Sequence, residues 1–344
     1  MTGIFNTRIL ASIAMLVFVG AVVASSTGAF FNDTETSTGN TFTAGALDLK
    51  VDSTAHYNGM VCRITVNANG DVGTDGQLAW HAETGGDAAV PADHYPQPGT
   101  PCEGTWTEKD LGAGTDKFFN LVDIKPGDNG ENTISLHVYS NDAWGRLIVN
   151  ATSTENGCNE PETEVPDNTC ANPGVGDGEL AQNMTFYAWL DQGGTAGFQG
   201  TTTPDQAGGE GDNIWQCTQF QNSIEFFLAN QNLLPFNTAT CSEPLVILPG
   251  PLNTPTETHN IWTALTAVDA LYCPSPANPA TGHNNYGVCH GIADDGRMVG
   301  STTYYFGLAW FIDDGVGNIV QTDSLVGDLL FQAVQHRNNS GHTF

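Results

Sequence analysis

Apolar and polar side chains alternate strictly in several parts of this chain, and that pattern leaves little room for anything but β-strands. Leu47, Leu49 and Val51 alternate with Asp48, Lys50 and Asp52, and Ile134, Leu136 and Val138 alternate with Ser135, His137 and Tyr139. Leu147, Val149 and Ala151 form another such face. A period of two sends one set of side chains to a core and the other to water. Met184 to Leu190 (MTFYAWL) is apolar on both faces, as a buried central strand is; Leu245 to Leu248 reads as a short buried run, and Tyr304 to Ile312 (YYFGLAWFI) and Leu329 to Val334 (LLFQAV) complete the strand candidates. Ile261 to Leu271 reads best as a helix, with a strand as the alternative. Segments rich in Gly, Asn, Asp, Thr and Pro lie between these runs, at 67–116, 153–180, 192–213, 236–243 and 273–300. They read as surface insertions, and loops of that length need pinning. There is no internal repeat. The pattern predicts an all-β fold, an antiparallel jelly-roll-like β-sandwich with long disulfide-pinned loops, spanning 30–344 as one domain.

The first 52 residues add an address. An apolar run from Ile9 to Ala24 follows Arg8 and ends in small residues up to Ala29. The run is shorter than the ~20 residues that span a bilayer, and Thr27 and Ala29 suit the −3 and −1 positions of a signal peptidase site. Residues 1–29 are therefore expected to be a signal peptide, cut between Ala29 and Phe30, with an uncleaved anchor as the alternative. After cleavage no stable membrane insertion is expected, because the chain shows no second hydrophobic span, no cell-wall sorting motif and no lipobox cysteine.

Charge narrows the partners. The chain has 38 acidic against 9 basic side chains, a net charge of −29. Phosphate neutralisation needs a basic footprint, so nucleic acid is excluded as a partner, and anionic membrane surfaces are disfavoured. A hydrophobic content of 40% is enough for a packed core, which argues against global disorder. The eight cysteines are Cys62, Cys102, Cys158, Cys170, Cys217, Cys241, Cys273 and Cys289. In an exported chain they imply disulfides. Sequential pairing (62–102, 158–170, 217–241, 273–289) would close each Gly/Pro-rich segment between strand-like runs, although many pairings are formally open. Reduced, buried cysteines are the alternative.

Four stretches carry a resemblance: Phe31-Asn32-Asp33 just after the cleavage site, Thr41 to Leu49 (TFTAGALDL), the turn Lys125-Pro126-Gly127-Asp128 leading into Thr133 to Tyr139, and Leu330 to Gln335. Together with the export signal they make the chain similar to the SipW-dependent secreted proteins, the TasA and camelysin family. The likeness covers 1–52, 119–150 and 301–337. The cysteine-bearing segments lie outside it and read as insertions in a distant member. The resemblance implies a secreted jelly-roll domain whose copies join head to tail into extracellular fibres, one subunit's N-terminal strand entering its neighbour's sheet. Phe30 and Phe31 would anchor the donor segment 30–52, with Phe42, Leu47, Leu49 and Val51 along its strand. Strand addition satisfies an open edge with main-chain hydrogen bonds, and a head-to-tail contact that does not close produces a filament. An N-terminal strand folded into its own domain is the alternative.

Catalytic signals are sparse. Camelysin likeness implies a metallo-endopeptidase, but HExxH, GxSxG and Walker A motifs are absent from the sequence. His283 and His290, with Cys289, Asp294 and Asp295 nearby, offer zinc-type ligands. Asn67 to Gly76, with Asp71 and Asp75, offers calcium-type oxygens, although Asx turns read the same way. No cofactor is otherwise expected. Sequons occur at Asn32, Asn150, Asn183 and Asn338, with Asn183 the poorest acceptor because it enters a buried strand. Trp189 and Trp310 are expected in the core, and Trp80, Trp106 and Trp144 are left as candidates for sugar stacking. The sequence therefore supports a secreted fibre subunit of the extracellular matrix or cell surface, with itself and signal peptidase as partners. A camelysin-like peptidase and a monomeric glycan-binding adhesin remain as alternatives.

Overall fold

The computed structural model describes residues 33–37, 40–44, 48–64, 77–111, 116–139, 141–157, 169–171, 173–194, 197–198, 209–233, 241–252, 256–273, 277–278, 283–284 and 289–344. Its strands are β1 (Asp33–Ser37), β2 (Asn40–Ala44), β3 (Asp48–Tyr57), β4 (Met60–Ile64), β5 (Leu78–Ala82), β6 (Trp106–Lys109), β7 (Asn129–Tyr139) and β8 (Ala143–Thr154). They continue with β9 (Met184–Leu190), β10 (Leu245–Pro251), β11 (Glu257–Asn260), β12 (Ala277–Asn278), β13 (His283–Asn284), β14 (Thr302–Ile312) and β15 (Ser324–Gln335). One sheet has the order β1-β2-β15-β8-β11, and the other β10-β9-β14-β7-β3-β4-β5, with β6 also on β3. The two pack as a sandwich whose pairings are antiparallel, apart from a parallel match of β2 to β15.

The alternation seen in the sequence becomes the core. On β3, Leu49, Val51, Ser53, Ala55 and Tyr57 are buried in turn. They meet Ile134, Leu136 and Val138 of β7, Tyr304, Phe306 and Leu308 of β14, and Phe331 of β15. The doubly apolar strands have a further cause. Their other faces carry Trp189 and Ala309 into a second cluster with Trp215, Phe220, Ile224 and Phe227. A layer built from 209–233 and 241–245 thus covers the outer side of β9 and β14. The helix Ile261–Tyr272 forms as expected and sends Ile261, Leu265 and Val268 into the main core.

Three bridges follow the sequential pairing: Cys62–Cys102, Cys217–Cys241 and Cys273–Cys289. Cys170 is also disulfide-bonded, and Cys158 lies outside the described residues. Such bridges belong to an oxidising compartment. Among the described residues no helix is long and apolar enough to cross a membrane.

Several expectations need correcting. The strand drawn from Phe42 to Val51 is two strands: β2 carries Phe42 in the smaller sheet, between β1 and β15, while Leu49 and Val51 belong to β3 inside the larger one. The segment 67–116 is not all surface, since it supplies β5 and β6. These strands are four and five residues long, too short to show a period against their Gly- and Asp-rich surroundings. Residues 289–300 bury Cys289, Ile292, Ala293 and Met298. Their apolar side chains are isolated, so no periodicity announces them. Trp80 and Trp144 are buried at 5% and 4% exposure, and Trp106 is half-buried against Phe118 at 5.0 Å between ring centres. None of the three offers a free stacking face. Trp189 and Trp310 are in the core, as expected.

Candidate assembly edge and polar clusters

β15 is the strand on which the N-terminal region rests. On one side it pairs with β8 along its whole length, from Ser324↔Thr154 to Gln335↔Ala143. On the other side β2 covers only Leu330 to Ala333, in the parallel register Leu330↔Thr41 to Ala333↔Ala44. β1 then pairs back on β2 and forms the outer edge. Among the described residues, the stretch from Ser324 to Leu329 has no strand on that side. The same stretch walls an apolar cleft of ≈140 Å³ between the sheets, with Leu325 and Leu329 facing Phe119, Val149, Phe186 and Trp310. A second cleft of ≈250 Å³ shares Val149, Phe186 and Leu252 and opens beside β10 and β11. A strand stretch open on one side beside an apolar recess is the geometry that strand addition uses.

Of the residues expected to carry assembly, Phe42 lies in β2 and so on this edge. Leu49 and Val51 are committed to the chain's own core at 4% and 2% exposure. Phe30, Phe31, Leu47 and the cleavage site at Ala29 lie outside the described residues. So do Asp71 and Asp75. His283 falls in β13, paired with Asn278. Of the weak zinc-type candidates at 283–295, the described side chains have other partners. Cys289 is bonded to Cys273, and the His290 ring nitrogen Nδ1 lies 2.6 Å from the Phe198 carbonyl. Asp295 is held by Arg297 at 2.7 Å and His336 at 3.1 Å.

Three polar groupings on the sandwich were not expected. The first is a buried carboxyl pair, Asp191 and Glu243, both fully enclosed. Burial pushes Asp191 up to about 7, and burial together with the neighbouring Asp191 charge holds Glu243 well above the usual carboxylate range. Glu243 accepts N–H groups from Gly193 (2.7 Å) and Gln216 (2.6 Å), and Asp191 accepts that of Asn213 (2.8 Å). The pair fastens the covering layer to the end of β9.

The second grouping is Glu155, Glu179 and Asp323, with one oxygen of each within 4.8 Å of the others. Burial pushes Asp323 up to about 7, helped by the two neighbouring charges, although Glu179 and Leu180 donate N–H bonds to it at 2.6 and 2.7 Å. The third is His56, Glu83 and Glu131, which also bring ligand-type atoms within 4.8 Å. Burial raises Glu131 to about 7 against the pull of His56. Neither trio shows a local motif. His56 and Glu131 meet only because the β3–β7 register sets them opposite each other.

A hydrogen-bond chain on the outer face links Asp52 to His137 Nε2 at 2.7 Å and His137 Nδ1 to the Thr303 hydroxyl at 2.9 Å. Its order of carboxylate, imidazole and hydroxyl is that of a nucleophile triad. However, Thr303 is simply the cross-strand neighbour of His137, and neither residue lines the clefts described above.

Fold and bridges define the class of protein: a disulfide-bonded antiparallel β-sandwich with an added covering layer. Compared with known proteins, no family model matches the chain and no curated protein matches it.

Proposed function

We propose that the chain is an exported structural subunit of extracellular matrix or cell-surface fibres, whose copies join head to tail by donating their N-terminal strands. The observation that carries this reading is the half-covered edge of β15. Four residue pairs are all that hold β2 to that strand, and the uncovered half fronts an apolar cleft. The chain passes from β2 in one sheet to β3 in the other. Exchanging the hairpin β1–β2 for a neighbour's would remake the same ladder between chains without losing a hydrogen bond, as in domain swapping. The apolar clefts would take aromatic anchors such as Phe30 and Phe31. The exported leader, the disulfides and the resemblance of 31–49, 125–139 and 330–335 to the TasA and camelysin family support the same reading. That family's jelly-roll is the finer fold it implies.

Negative-stain microscopy tests the reading. Protein beginning at Phe30 is expected to form filaments, while the same protein with an uncleaved extension ahead of Phe30 stays dispersed. Dispersed particles from both would overturn self-assembly by a freed N-terminus.

A further inference from the structure

Side chains from four separate segments meet on the outer face of the larger sheet. His56 of β3 lies directly opposite Glu131 of β7. Glu83, just beyond β5, brings Oε1 to 2.9 Å from His56 Nδ1. Asn213 comes from the covering layer, in a left-handed backbone conformation (φ 63°). Asn213 is 8% exposed, and its side chain reaches the Glu131 carboxyl and favours its ionised form. A simple His56–Glu83 ion pair accounts for two of these groups. It does not account for a second carboxylate placed opposite the histidine, or for the enclosed amide aimed at that carboxylate.

We propose that His56, Glu83 and Glu131 form a binding site for a divalent cation of the zinc class, with Asn213 bracing Glu131. The donors are one imidazole nitrogen and two carboxylates, whose ligand-type atoms lie within 4.8 Å of one another. An imidazole in the set favours zinc-like ions over calcium and magnesium, which prefer all-oxygen shells. Two carboxylates supply the charge that balances the ion. Glu131 also lines an open cleft of ≈380 Å³ with Glu225, Asp313 and Asp314, an acidic approach from solvent. A bound ion would join β3, β7 and the loop after β5 at one point, and would stabilise the folded chain by mass action.

The test is calorimetric titration of the oxidised, chelator-treated chain with Zn²⁺ alone, with Ca²⁺ in parallel, alongside thermal melts. One Zn²⁺ per chain is expected, with a rise in melting temperature. Glu83→Gln, at an exposed position, should weaken binding at least about tenfold, and His56→Gln should weaken it as much or more. Asp323→Asn, in the separate carboxylate trio, should leave zinc binding unchanged. No zinc binding at millimolar concentration would overturn the proposal, as would an affinity equal to the parent's in Glu83→Gln and His56→Gln, or tighter binding of Ca²⁺ than of Zn²⁺.

Discussion

Gly307→Val should leave almost no folded protein, and even Gly307→Ala should cost about 3 kcal/mol, at the upper end of what overpacked cores lose. Gly307 sits mid-strand in β14, opposite Trp189 of β9 on one side and Thr133 of β7 on the other. A β-carbon there would overlap the Trp189 ring atoms Cζ2, Cε2 and Cη2. The indole has nowhere to go. Trp189 is 1% exposed, stacks on Tyr187 at 5.6 Å and is packed in the second cluster. Relief would require moving the covering layer or bending the central strand, and cores resist both because they are close-packed. Urea unfolding followed by tryptophan fluorescence would read the loss as a lower midpoint. An alanine variant within about 0.5 kcal/mol of the parent, the range of innocuous surface changes, would contradict this placement of the indole.

Removing the Cys62–Cys102 bridge with Cys62→Ala and Cys102→Ala is expected to cost about 4 kcal/mol on the loop-entropy scale. The bridge spans a sequence separation of 40. It joins β4 to the turn region that precedes β6, and the chain between includes β5. Cys62 is fully buried in the main core, so the bridge also fixes where β4 meets the body of the sheet. β5 is the outermost strand of that sheet and pairs only with β4 in the main strand order. Without the bridge, β5 is held by β4 and by backbone hydrogen bonds to the segment around Thr100, and that segment loses its covalent tie to β4. Guanidinium unfolding of parent and variant under oxidising conditions would give the difference. A loss below about 1 kcal/mol would mean that the unfolded chain is already constrained in this region.

The long strands could be read from the residues because each buries one face over many positions. β3, β7 and β8 show a period of two, and β9, β14 and β15 show apolar runs. The double coverage of β9 and β14 has a physical cause that the runs alone could not identify. The layer carrying Trp215, Phe220 and Phe227 supplies it, yet its own segment is short-helical and turn-rich, with no long periodicity. β5 and β6 escaped notice through shortness. The break between β2 and β3 escaped because TFTAGALDLKV is strand-like throughout. Only pairing partners far along the chain decide that its two ends belong to different sheets. The three bridges lay within reach of simple sequential pairing. The polar clusters did not, because His56, Glu83, Glu131 and Asn213 share no local spacing. Register and a covering loop, both tertiary facts, bring them together.

Strand donation is most directly tested by disulfide trapping across the β2–β15 ladder. Thr43 and Gln332 are register partners there. Adjacent strands lie about 4.8 Å apart, within the Cα range that a disulfide spans. One population would carry Thr43→Cys and the other Gln332→Cys. The two would be mixed as protein beginning at Phe30, allowed to assemble, and then oxidised. Donation predicts cross-linked dimers containing one chain of each kind, with few pairs of identical chains. An absence of cross-chain product, together with a double variant that closes its bridge within a single chain, would contradict it and leave β2 as part of its own sandwich.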